Sequence, residues 1–118
     1  MNTNTPLRAL TTLNDITYTE AARVMAEKII SSRESEEERL TYAFEWTTSR
    51  PPVSHELSIL KNRLDSIRAE FDEDPPAAKK IIATGEYPVN QRINPTEYAA
   101  FTVISSLLLN LDETITRQ

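Results

Sequence analysis

Apolar residues recur along this chain at intervals of three and four, the repeat of helices that bury one face. In DITYTEAARVMAEKIIS the repeat falls on Tyr18, Ala22, Met25 and Ile29. In RLTYAFEWTTSR it places Leu40, Ala43, Phe44 and Thr47 on one side. From Leu57 onward it is clearest, with Leu57, Leu60, Leu64, Ile67 and Phe71 in register and Lys61, Arg63 and Arg68 between them. Burying five such side chains is worth roughly 1.5–3 kcal/mol each before entropy is subtracted. The last segment, NPTEYAAFTVISSLLLNL, is apolar around most of its circumference. Only a narrow strip near Thr102, Ser106 and Asn110 is polar, the pattern of a central helix.

Punctuation between these segments agrees with the periodicity. Thr5 is placed to cap a first helix that Pro6 opens. Ser35 and Glu38 have the spacing of a capping box, and Glu36, Glu37 and Glu38 suit the positive end of a helix dipole. Ser54 is expected to cap the next helix, and Asp74 with Pro75 the one after, which Gly85 stops in a left-handed turn. Asn94, Pro95 and Glu97 repeat the entrance signal for the last helix. Hairpins and bulges use glycine freely, and this chain has one. These signals predict an all-α fold: one compact bundle over residues 1–118, of about five to six helices, around a central apolar C-terminal helix. The closing LDETITR is expected to end that helix near Asn110 or Leu111. Asp112 then caps a short final turn, and Glu113 reaches Arg117.

Composition narrows the chemistry. The 118 residues are enough for one ordinary core. Eighteen acidic residues against thirteen basic ones give a net charge of -5, which repels phosphate backbones and disfavours nucleic acid as a partner. No apolar run reaches the ~20 residues of a membrane span, and MNTNTPLRAL lacks the apolar stretch of a signal peptide. Cysteine is absent, which removes disulfides, thiolate metal sites and the CxxCH attachment of a c-type haem from this segment.

Candidate reaction centres are few. His55, the single histidine, would need a second ligand to hold a metal, and reads as an exposed first-turn residue. The acidic runs ESEEE and FDEDPP lack the alternating ligands of a calcium loop. Asp112 and Glu113 carry no specific sign of acid–base work. Tyr42 and Trp46 stand apart: one turn from each other, they point away from the Leu40–Phe44 face. Two aromatics on a second face mean either burial on both sides of the helix or an exposed docking patch for another protein.

Three motifs together resemble a known family. TPLRALTTLND with the EAARVMAEKI helix behind it, RLTYAFEWTTSRPPVSHEL, and the closing LLLNLDETITR are similar to the opening, middle and closing signatures of the C-terminal planctomycete-specific domain of unknown function found in large planctomycete cytochrome-c-like proteins. Ser49 stands where such sequences often carry glycine before the arginine. The resemblance implies that this domain is the C-terminal part of a larger protein, behind haem-bearing upstream domains. It implies a periplasmic or cell-envelope location, and it carries no catalytic residue or cofactor over to this segment. The function expected is a non-catalytic helical interaction or scaffolding domain, whose partners are the parent's upstream domains, another protein, or a second copy of itself. The alternative is part of an enzyme whose site is completed by the upstream domains. A pocket lined by Arg23, Arg39 or Arg50 with converging carboxylates would favour it.

Overall fold

A computed structural model describes residues 16–116, with side chains through residue 111. The first helix expected from Thr5 and Pro6, and the side-chain roles of Asp112, Glu113 and Arg117, lie outside the described residues. Among the described residues five helices follow in order: α1 (Ile16–Ser32), α2 (Glu36–Thr48), α3 (Ser54–Glu73), α4 (Pro75–Ile82) and α5 (Pro95–Thr116). No strand occurs among the described residues. The all-α expectation holds.

The helix α5 is the axis of the fold and touches each of the other four. It runs antiparallel to α1: the Tyr18 hydroxyl meets the Ser106 carbonyl, while Arg23 further along α1 lies beside Tyr98. Tyr98, Phe101, Val103 and Ile104 are buried, and so are the polar Thr102, Ser105 and Ser106. Of the narrow polar strip read from the sequence, Thr102 and Ser106 are therefore inside and Asn110 is exposed. Thr102 satisfies its hydroxyl against the Tyr98 carbonyl one turn back, at 2.8 Å, which lets a small polar side chain enter a core at little cost. Helix α5 also runs on through Asp112 to Thr116 rather than ending near Leu111.

The apolar faces read from the sequence supply the rest of the core. Met25 and Ile29 of α1, Leu40, Ala43 and Phe44 of α2, and Leu64, Ile67 and Phe71 of α3 are buried together, with Tyr18, Leu57 and Leu60 packed at the margin, and Ala22 of α1 is buried as well.

Several helix ends follow their sequence signals and others do not. Ser35 accepts from the Glu38 amide at 3.1 Å while the Glu38 carboxylate reaches back to the Ser35 amide, closing the box. Ser49 ends α2 with φ 66°, the left-handed conformation for which glycine is the easy choice. At α3 the boundary residue is Val53, not Ser54. Val53 has no side-chain acceptor, and the Glu56 carboxylate takes its amide at 3.0 Å. Asp74 caps α4 through Ala77, with Pro75 in the first turn. Gly85 has a positive φ of 91°, but α4 already stops at Ile82, so the glycine shapes the following loop. Asn94 accepts from the Thr96 and Glu97 amides. Glu97 does not fold back to complete a box, because its carboxylate is held bidentate by Arg68.

Candidate functional site

The arginines that would have marked a catalytic pocket are spent separately. Arg23 is buried at 0% exposure, with its guanidinium donating to the carbonyls of Thr84, Tyr87 and Pro88 in the loop after α4. Its neighbours on α1 grip the same loop: Glu20 accepts from the amides of Glu86 and Tyr87, and Glu27 from the Asn90 amide group at 2.8 Å. Three charged residues at positions i, i+3 and i+7 thus fasten one loop to one helix face. Burial pushes the nearby Tyr98 hydroxyl above its ordinary pKa, so it remains neutral. Arg39 closes the end of α1, donating to the carbonyls of Ile30 and Arg33. Arg50 pairs bidentate with Glu56 across the α2–α3 turn at 3.0 and 2.8 Å. These three do not converge, and the feature that would favour the enzyme reading is not formed by them.

Tyr42 and Trp46 do come together. Their ring centroids are 5.7 Å apart, with the planes tilted by 46°, an arrangement typical of favourable aromatic pairs. Tyr42 is partly buried and leans on the core, whereas Trp46 is 41% exposed. Of the two readings open for this face, burial on both sides therefore fails at Trp46. No helix among the described residues covers its outer side.

Sequence reasoning missed the residue that organises this surface. The Arg33 guanidinium lies 4.3 Å from the centre of the Tyr42 ring, a cation–π contact. Arg33, Ser35, Glu37, Glu38, Thr41, Tyr42 and Glu45 line a groove of about 430 Å³ along α2. A sign of it was present in the sequence: Glu37, Thr41 and Glu45 recur every fourth residue, a polar stripe beside the Tyr42–Trp46 pair. Glu38 is occupied by its capping bond. Among the described residues no ion pair engages Glu37 or Glu45.

His55 is exposed in the first turn of α3. No group of three or more His, Asp or Glu side chains is assembled in metal-binding geometry among the described residues. Among the described residues no helix is long and apolar enough to cross a membrane.

Residues 1–64, just over half of the chain, match a family described as a protein of unknown function (DUF1553). The chain belongs to this family. No curated protein and no solved structure matches it. The DUF1553 match takes in α1, α2 and the first half of α3, so the Arg33–Tyr42–Trp46 surface lies wholly within it. It stops short of the loop that Arg23 holds and of α5.

Proposed function

We propose that this domain is a helical interaction module that meets its partner through the Tyr42–Trp46 face of α2. The observation that carries the reading is Trp46 itself. It is the single tryptophan of the chain, more than a third exposed, and packed at a tilt against a tyrosine that the core holds in place. A large rigid ring left in water on a fixed support is the usual anchor of a protein interface, because little entropy is lost when it is covered. The open groove lined by Tyr42, the ring Trp46 packs against, gives a partner's side chains a place to enter.

The parent is read as a multidomain, cytochrome-c-like planctomycete protein of the cell envelope, with c-type haem in domains upstream of this one. The support is the three motifs shared with that family's C-terminal domain. Its partner in that setting is the upstream region or another envelope protein. The complete gene product tests this placement directly: a CxxCH motif and an export leader before this domain are expected, and their absence removes it.

The interaction reading is tested by placing a photo-crosslinking amino acid at position 46 in cells, with position 59 as control. Ile59 is also exposed, at 51%, but stands on α3. A discrete adduct at 46, absent at 59, is expected. Equal adducts at both positions, or none at 46, would remove the docking role from this face.

A further inference from the structure

We infer that the segment docking on the α2 face is basic, presenting arginine or lysine side chains to the Tyr42–Trp46 pair and to the carboxylates beside it. This inference rests on the interaction reading above and supplies the chemistry of the partner. Three observations converge on it. The groove is lined by three carboxylates, Glu37, Glu38 and Glu45, against the single guanidinium of Arg33. Of those carboxylates Glu38 is engaged by its cap on Ser35, while Glu37 and Glu45 are in no ion pair among the described residues and remain to meet an incoming cation. The positive end of the α2 dipole lies at the same place, but Glu36, Glu37 and Glu38 stand in its first turn and offset it.

The second observation is that this protein already uses arginine on aromatic rings. Arg33 sits over Tyr42 at 4.3 Å and Arg50 over Phe44 at 5.0 Å. The Tyr42 ring is thus shown to accept a guanidinium, and the exposed Trp46 ring next to it is the stronger cation–π acceptor of the two. A partner arginine can stack on that ring while a second basic side chain of the same segment meets Glu37 or Glu45 along the groove. The third observation separates this face from the other acidic run. Asp72, Glu73 and Asp74 at the end of α3 are exposed, but no exposed large apolar side chain stands among them. Tyr87 is the other exposed aromatic beside acidic residues, but Glu20 and Glu27 there are already engaged by the loop, whereas Glu37 and Glu45 are in no ion pair among the described residues.

The test uses the whole chain and three synthetic peptides of equal length: one alternating arginine and lysine with glycine and serine, one with glutamate in the basic positions, and one with serine there. Trp46 emission reports contact at the face itself, since no other tryptophan contributes. The basic peptide is expected to change that emission saturably and more weakly as salt is raised, with the other two inert. Glu37→Gln with Glu45→Gln should weaken it about three- to tenfold. Asp72→Asn with Glu73→Gln removes the same charge elsewhere and should leave it within about twofold, the level of a screened distant effect. Circular dichroism checks that both double variants keep the fold. The basic-partner inference is overturned if the serine or glutamate peptide binds as well, if no peptide alters the emission, or if the two double variants weaken binding equally. Any of these leaves the docking reading to the crosslinking result at position 46, so the two can fail independently.

Discussion

Glu20 and Gly85 are fitted so closely that a Cβ on Gly85 would stand 2.7 Å from Cδ of Glu20 and 2.9 Å from its Cβ. The close approach lets the Glu20 carboxylate receive the amides of Glu86 and Tyr87. Gly85→Ala meets two penalties, the positive φ of 91° and the collision with the α1 side chain. A loss of about 1–3 kcal/mol is expected from the backbone conformation and crowding together. Urea unfolding measures it, and an unchanged midpoint would mean that the loop does not sit against α1.

Arg23 should be the costliest polar residue to remove. Arg23→Ala leaves the carbonyls of Thr84, Tyr87 and Pro88 without their donor and opens a cavity beside Tyr98. The expected loss is about 3–5 kcal/mol, the scale of breaking a buried charged network from one side. Arg23→Lys should recover little, because a single ammonium cannot reproduce a fork that reaches carbonyls in different directions. Stability within about 0.5 kcal/mol of wild type for the alanine variant, the range of an ordinary surface change, would place Arg23 on the surface.

The contrast between these two grips and the helices they join explains what could be read from the sequence. The box of Ser35 and Glu38, the Asp74 cap and the apolar faces of α1, α2 and α3 depend on residues within a turn or two, so local spacing reveals them. Arg23 reaches a carbonyl 61 residues away, and Glu97 is diverted from its own helix end by Arg68 29 residues away. Such partners are set by packing. The burial of Thr102, Ser105 and Ser106 was not legible for the same reason: a small hydroxyl such as that of Thr102, which bonds its own helix, carries no sign of which side faces water. At the α2 face, Tyr42 and Trp46 were visible as a pair, but exposure depends on whether another element covers them. Arg33 lies before the helix and enters the site only through the fold.

The α2–α3 turn should register in acid. Hydrogen bonding to Arg50, with help from the Val53 amide, lowers the Glu56 carboxyl from 4.5 to about 2. A carboxyl whose folded pKa is depressed stabilises the fold above its unfolded value, and that contribution disappears as pH falls through the folded one. The melting temperature of wild type should therefore exceed that of Glu56→Gln at neutral pH. The gap should narrow below pH 4.5 and close near pH 2. A gap that stays constant through that window would show that Glu56 is not paired in the native state.

Core and cap should separate in magnitude. Leu64 is 0% exposed in the middle of α3, and Leu64→Ala is expected to cost about 2–5 kcal/mol through the cavity it leaves. Ser35 is exposed, and Ser35→Ala removes a single first-turn acceptor, worth roughly 1 kcal/mol. Urea titration of the two variants should give clearly different midpoints with similar slopes. Equal midpoints would mean that the core is centred elsewhere.

The environment of Trp46 can be read with quenchers of different charge. An indole 41% exposed should emit to the red and be quenched by neutral acrylamide in the native monomer. The carboxylates of Glu37 and Glu45 give its surroundings a negative potential that attracts cations and repels anions. Caesium should therefore quench more efficiently than iodide, relative to their efficiencies on free tryptophan. That ratio should fall toward unity at high salt, and in the Glu37→Gln, Glu45→Gln variant, as the field is screened or removed. The two parts of the measurement answer separate questions. Blue emission that resists acrylamide would place Trp46 in the core and end the docking reading. Ready quenching by acrylamide with no preference for caesium would leave an exposed anchor but deny it an acidic setting, and the expected partner would no longer be basic.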